Sequence, residues 1–254
     1  MIRPEALLLD FGGVVVETTR RPSWVAELAA EVHGLLLRAG FEGLGTEDIE
    51  SDIRAGARAD KYWKDSTSRQ FAPAEMTHRG FWADYVAADW PDQARALVTA
   101  EATPLCRRMG ELRSGRKVRP GMVELLTACW ARGIRPGVVS NALCGIVHRD
   151  FLAATGLDRQ MAVQVYSDEV GVRKPNPEMI WIACRALGVD PGQVWYVGDN
   201  YDRDVVCGAR AGVAATVLMI SRSTEEIPYR VRQNPQATVE DPRGLLHLLE
   251  ETWI

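Results

Sequence analysis

Four stretches of this chain carry the groups that a nucleophilic displacement needs. Asp10 ends the apolar run Leu7-Leu8-Leu9 and is followed at once by Phe11-Gly12-Gly13. Ser140-Asn141 ends a second apolar run, Ile134 to Val139. Lys174 stands in Val172-Arg173-Lys174-Pro175-Asn176-Pro177. A third run, Val194 to Val197, leads into Gly198-Asp199-Asn200-Tyr201-Asp202-Arg203-Asp204. A carboxylate such as Asp10 can attack an electrophilic centre and divide one hard step into two. A hydroxyl and the N–H groups of a turn that opens a helix can hold an anion, here Ser140 with the amides of Asn141 and Ala142. Lys174 adds a positive point charge. Each piece also has an ordinary structural use. Asp before Gly-Gly forms turns, Ser-Asn caps helices, a lysine can be a solvated charge, and the Asp199–Asp204 run could be an acidic surface loop. Independent surface features have no reason to fall in this order after apolar runs, so the set reads as a site.

The elements that must position these groups are legible in part. At 254 residues the chain can build a sizeable core, as one large domain or two smaller ones. With 46% apolar and 25% charged residues it has the balance of a soluble globular protein. A net charge of −4 implies no broad basic surface and argues against a nucleic-acid partner. Met1-Ile2-Arg3-Pro4-Glu5 does not read as a signal peptide. No apolar run approaches the roughly 18 residues of a membrane span. The five cysteines are odd in number and form no CxxC pair, which predicts reduced, buried thiols in a cytoplasmic protein.

Apolar runs of strand length recur at 6–9, 134–139, 162–166, 193–197 and 214–219. Helical patterns lie between them at about 121–132, 142–154, 177–187 and 202–211. Such alternation predicts an α/β fold, a parallel sheet covered on both faces. Right-handed crossovers then gather Asp10, Ser140 and Asp199 along one edge. Residues 18–113 break the pattern and read as helices near 23–38, 46–62, 74–87 and 91–109. Ser23 and Thr46 are the predicted N-caps, and Pro73 and Pro91 mark the later starts. The predicted domains are a core of 1–17 and 114–254 and a helical insert of 18–113. Ser221 to Gln236 reads as polar loop, and Leu245 to Leu249 as a short closing helix.

The four stretches in this order resemble the four motifs of the haloacid dehalogenase (HAD) superfamily. The likeness extends to Val118-Arg119-Pro120-Gly121-Met122 before a helix and to Gly208-Ala209-Arg210-Ala211-Gly212 after the acidic loop. It implies a Rossmann-like core with an α-helical cap domain inserted after the first motif. It also implies a Mg²⁺-dependent phosphatase of a small phosphorylated metabolite, working through an aspartyl-phosphate on Asp10. Ser140, Asn141 and Lys174 would then bind the phosphate, and Ser140 and Lys174 would join Asp10 in catalysis. Asp10, the Gly12 carbonyl and Asp199 would hold the metal. Asp204 would act close by, on the metal or on Lys174.

One position departs from the family pattern. The second residue after the nucleophile is usually an Asp that protonates the leaving group, and here it is Gly12. General acid–base catalysis contributes roughly 10² to 10⁴ in rate. The substrate could carry an easy leaving group, or Glu17 or His78 could replace the acid. A metal-independent 2-haloacid dehalogenase-like reaction also lacks that second Asp. It does not, however, need the acidic crowd of Asp199, Asp202 and Asp204. A phosphonatase-like hydrolase would need a lysine able to form a Schiff base, for which Lys61 and Lys64 are available. A catalytically weak, ligand-binding relative is the reading from outside enzymology.

In the insert, Arg54, Arg58 and Lys61 share a helix face that could meet an anion. Glu50 and Asp65 stand four residues away at either end, so the face could equally be laced with surface ion pairs. Trp63, Phe81, Trp82 and Tyr85 read as core of the insert.

Overall fold

Ala6–Leu9 forms the first strand, β1, and all four residues are buried. An unbroken apolar run suits a strand covered on both faces. The computed structural model of the protein describes residues 1–252. In chain order the elements after β1 are β2 (Val16–Arg20), α1 (Trp24–Arg38), α2 (Thr46–Thr67) and the short α3 (His78–Gly80). A wide helical turn at Phe81–Val86 follows, then α4 (Asp92–Ala100), α5 (Ala102–Arg113) and β3 (Ser114–Val118). Then come α6 (Met122–Ala131), β4 (Arg135–Ser140), α7 (Ile146–Thr155), β5 (Val163–Tyr166) and α8 (Ser167–Val170). The chain ends with α9 (Glu178–Leu187), β6 (Val194–Gly198), α10 (Val206–Ala211), β7 (Ala215–Met219), β8 (Ala237–Val239) and α11 (Pro242–Glu250).

The chain divides into two units. The first is Met1–Thr18, Ser68–Glu75 and the residues from Arg116 onward. Its sheet has the order β5-β4-β1-β6-β7-β8 and every pairing is parallel. Side chains alternate between the two faces, as strand geometry requires. Leu7 and Leu9 join Val138, Trp195 and Val197 in one apolar cluster with α6 and α11. Ala6 and Leu8 join Val139, Val165 and Tyr196 in the other, with α9 and α10. Burying each Leu contributes about 1.5–3 kcal/mol, so β1 is anchored from both sides. In register, Leu9 stands opposite Val138 of β4 and Val197 of β6. Residues that follow these three strands therefore emerge side by side, at the point where the strand order reverses.

The second unit is Thr19–Thr67 and Met76–Gly115. It is helical, with α1 packed on α2 and α5. Phe81 and Trp82 are fully buried and meet edge to face at 5.8 Å.

The differences from the sequence reading have local causes. Ser68–Glu75 belongs to the sheet unit, not to the helical one. Ala74 bridges Val172, and the Pro73 carbonyl accepts from the Arg173 amide, so no helix starts at Pro73. The helix expected over 91–109 is interrupted at Glu101. Thr46 is the first residue of α2 and its hydroxyl meets His33. Ser23 stands at the N-cap of α1 but bonds to the Glu27 carboxylate at 2.6 Å. The last two residues of the expected core lie outside the described residues. β2, β3 and β8 were missed because they are short and mostly polar or half-exposed. All five cysteines are free and buried. Among the described residues no helix is long and apolar enough to cross a membrane.

Candidate active site

Asp10, Ser140 and Asp199 sit at the C-terminal ends of β1, β4 and β6, three adjacent strands. The Asp10 amide still donates to the Val197 carbonyl at 2.8 Å, so the sheet ladder fixes its backbone. Lys174 comes from the loop before α9. Its Nζ lies 2.8 Å from Asp10 Oδ1 and 2.6 Å from Asp204 Oδ1. It also donates to the Tyr196 hydroxyl at 2.8 Å. That hydroxyl in turn donates to Asp204 Oδ1, and the Asn200 amide donates to Asp204 Oδ2. Both oxygens of Asp204 are thus engaged. The Ser140 hydroxyl reaches the Asn141 carbonyl at 3.5 Å, and its dipole favours the ionised Asp10 carboxylate.

Asn141 has a use that its sequence position did not reveal. Its Oδ1 accepts from the Lys174 amide at 2.7 Å, and its Nδ2 donates to the Lys174 carbonyl at 3.1 Å. This reciprocal pair clamps the lysine loop to the end of β4. The Ala142 amide, which the sequence offered to an anion, donates instead to Ser167 Oγ at 2.9 Å. Ser167 donates to Glu75, which also pairs with Arg173 at 3.3 Å in a buried network. Ser68–Glu75 therefore belongs with the site's supporting structure.

Asp199 is held from the loop after β7. Its Oδ2 accepts from Ser221 Oγ at 2.5 Å and from Ser223 Oγ at 2.6 Å. Arg119 donates to the carbonyls of Gly13, Ile220 and Glu240, tying the turn after β1 to the loops after β7 and β8. Ser221, Ser223 and Arg119 were not predicted as site residues. Their traces in the sequence were Arg119 in the stretch before α6 and the polar loop that Ser221 opens.

Burial dominates the electrostatics. It pushes Asp10 above the usual carboxylate range, against the pull of Lys174. It pushes Asp199 up to about 6, and the charges of Asp10 and Asp204 add to the rise. The Lys174 ammonium is held above its ordinary value by Asp10 and Asp204, which outweigh the burial that opposes them. Ligand oxygens of Asp10, Asp199 and Asp204 all lie within 4.8 Å of one another. Three buried carboxylates against one bridging ammonium make a hard, oxygen-rich, negative pocket, which fits a small divalent cation.

Gly12 leaves space. A β-carbon there would have no atom within 4 Å. Two other residues were predicted as substitutes for the missing acid, Glu17 and His78. Glu17 is exposed on β2. His78 lies in the helical unit, where its ring shares a hydrogen bond with Thr103. In the same unit Arg54 pairs with Glu50 at 2.5 Å and Lys64 with Asp60 at 2.7 Å. The ion-pair reading of that face holds for Arg54, and Lys64 is engaged as a salt-bridge partner.

The family model for haloacid dehalogenase-like hydrolases matches residues 4–212. An N-acetylmuramic acid 6-phosphate phosphatase of Pseudomonas putida is 34% identical over 217 residues, 85% of this chain and 83% of the relative. A glyceraldehyde 3-phosphate phosphatase of Methanopyrus kandleri is 30% identical over 135 residues, 53% of this chain and 58% of that protein. The match thus spans little more than half the length of the latter relative. Among solved structures, a 2-haloacid dehalogenase from Pseudomonas syringae superposes with a TM-score of 0.61 at 17% identity, covering 100% of both chains. At that identity the likeness is one of fold.

Proposed function

The chain belongs to the haloacid dehalogenase-like hydrolases, and from that premise we propose that it is a Mg²⁺-dependent phosphatase of a small phosphorylated molecule. The observation that carries the reading is the carboxylate cluster. Asp10, Asp199 and Asp204 bring their oxygens within 4.8 Å of one another, and Lys174 bridges two of them. Such an arrangement repels a carboxylate substrate, as a dehalogenase would need, and suits a cation beside a phosphate.

The roles follow from the contacts. Asp10 is the nucleophile. One of its oxygens bonds to phosphorus while the bond from phosphorus to the leaving oxygen breaks, giving an aspartyl-phosphate. Water then attacks that phosphorus, the acyl-phosphate P–O bond breaks, and the Asp10 carboxylate and inorganic phosphate are released. Lys174 holds Asp10 in position and offsets negative charge on the transferred group. Asp204 and Tyr196 hold Lys174, and the Asn141 side chain fixes its backbone. Ser140 offers its hydroxyl to a phosphate oxygen. Asp10, the Gly12 carbonyl and Asp199 would hold Mg²⁺, whose charge would offset that of the carboxylates and the incoming phosphate. Asp204, whose two oxygens accept from Lys174, Tyr196 and the Asn200 amide, would anchor Lys174 beside the metal and complete the carboxylate set around it. The helical unit is read as the cap that selects the substrate.

Gly12 favours one refinement. With no carboxylate at that position, the leaving group must depart without a built-in proton donor. Substrates whose leaving oxygen is weakly basic, such as aryl, anomeric or acyl phosphates, are therefore preferred.

A panel of small phosphate esters assayed with Mg²⁺ and with chelator tests the reading. Turnover should require the metal, and Asp10→Asn should abolish it together with any acid-stable, base-labile phosphoenzyme. In parallel, Mg²⁺ should raise the melting temperature of the wild type but not of Asp199→Ala. Metal-independent turnover, or full activity in Asp10→Asn, would overturn it.

A further inference from the structure

The sheet unit carries a cavity of about 400 Å³ built from residues that the proposed reaction does not use. Arg69, Arg210, Arg230 and Arg232 line it, together with Tyr229 and Gln233. Among the described residues no carboxylate lines it. Among the described residues none of the four arginines forms an ion pair with an acid, although the chain as a whole is acidic. A net charge of −4 makes a concentration of four guanidinium groups around one hollow a local feature that composition does not explain.

Two of the four are fixed. Arg210 is half-buried on α10 and donates through Nη1 to the carbonyls of Gln70, Phe71 and Pro175, at 2.6, 3.1 and 3.3 Å. These donations orient the guanidinium without neutralising it. Burial holds Arg210 below its ordinary pKa, as befits a cation with no anion beside it. Arg69 lies 5.2 Å over the Tyr229 ring, and the Tyr229 hydroxyl is itself pinned to the Ser68 carbonyl at 2.8 Å. Arg230 and Arg232 are exposed and flank Val231 on the loop before β8. Four like charges around one hollow repel one another, and an anion between them removes that cost. Arginine suits phosphate in particular, because its planar fork donates two parallel hydrogen bonds to two oxygens. A cavity of this volume is in the range that takes a small molecule rather than a lone ion.

We infer that this arginine-lined cavity is a binding site for an oligophosphate, distinct from the carboxylate site. The recognised chemistry is a chain of linked phosphates, whether inorganic or carried by a nucleotide. The inference does not rest on the proposed phosphatase activity, since none of the lining residues belongs to that machinery.

Calorimetric titration of the 254-residue chain in chelator tests it, with tripolyphosphate, ATP, orthophosphate and adenosine as probes. Tripolyphosphate and ATP should bind saturably, orthophosphate far more weakly, and adenosine not at all. The double variant Arg230→Gln/Arg232→Gln should weaken tripolyphosphate at least about tenfold, the scale of losing charge-assisted hydrogen bonds. Its melting temperature without ligand should match the wild type, because both side chains are exposed. Asp10→Asn should keep the wild-type affinity. An unchanged affinity in the arginine variant would overturn the inference, and so would a loss in Asp10→Asn instead. Tight ATP binding without tripolyphosphate binding would also overturn it, because the nucleoside would then be what is recognised. No saturable binding of either phosphate chain below about 1 mM would do the same.

Discussion

Gly13 and Asp199 are packed so closely that a β-carbon on Gly13 would stand 2.1 Å from Asp199 Oδ2. Gly13 also has a φ of +77°, a region that residues with a side chain rarely adopt. Its neighbour Gly12 has neither constraint, since nothing lies within 4 Å of its β-carbon position. The two glycines after the nucleophile therefore do different things. Gly13 lets the turn close against the acidic loop, while Gly12 leaves a vacancy.

Gly13→Ala should be costly and Gly12→Ala nearly silent. The left-handed backbone alone costs about 1–2 kcal/mol with a side chain present, and displacing Asp199 adds to it. Gly12→Ala should stay within about 0.5 kcal/mol of wild type. Urea unfolding of the two variants makes the comparison. Equal destabilisation by both would mean that the turn is not held as described.

Lys174 is buried between two carboxylates, at 2.8 Å from Asp10 and 2.6 Å from Asp204. Lys174→Met should destabilise the protein by about 3–5 kcal/mol, because it leaves buried charges uncompensated. The triple variant Asp10→Asn/Asp204→Asn/Lys174→Met should recover much of that loss, since it removes the charges as well. If the triple variant is no more stable than Lys174→Met, the ion pairs are not what Lys174 supplies.

The motif residues were legible because their order and their position after apolar runs were informative without any contact information. The apolar runs of β1, β4, β6 and β7 were legible for the same reason: buried parallel strands are continuous in sequence. What supports the motifs was not legible. Ser221 and Ser223 reach Asp199 from a polar loop whose composition says only that it is solvated. Tyr196 looks like any core residue of a strand until its hydroxyl is seen against Lys174 and Asp204. Ser68–Glu75 carried Pro73 and a helix-compatible sequence. Its bridge to Val172 is a tertiary contact between segments about a hundred residues apart, which no local signal encodes.

His148 should give stability a slope in mild acid. Its ring stacks on Phe11 at 4.1 Å and meets Tyr166 edge on, and among the described residues its buried Nδ1 has no hydrogen-bond partner. Burial lowers its pKa from 6.5 to about 3, with Arg116 and Lys174 opposing the charge and Asp168 favouring it. Between those values the unfolded chain binds a proton that the native protein does not. Stability from this group is therefore complete above pH 6.5 and is lost as pH falls toward 3. The loss is at most about 1.4 kcal/mol per pH unit. His148→Phe should preserve the stacking and flatten the slope. Urea unfolding at pH 7, 6 and 5 on both proteins decides it, and identical slopes would show that native His148 takes up its proton at the same pH as the unfolded chain.

Gly12→Asp should create selectivity for harder substrates. An alkoxide is a strong base, so expelling it without a proton donor adds to the barrier, whereas an aryl or anomeric oxygen leaves more readily. The wild type should therefore hydrolyse alkyl phosphates poorly beside aryl phosphates. The space around the Gly12 β-carbon can admit the new side chain without a clash at that atom. A carboxyl group that reaches the leaving oxygen should raise kcat/KM for the alkyl ester by about 10²-fold or more, while the aryl ester gains far less. The measurement is kcat/KM for a matched alkyl and aryl pair in wild type and variant. A wild type that handles both equally well would mean that another residue already serves as the acid, and Glu17 and His78 would be mutated next. An equal gain on both esters in the variant would mean that the new carboxyl acts on something other than the leaving group.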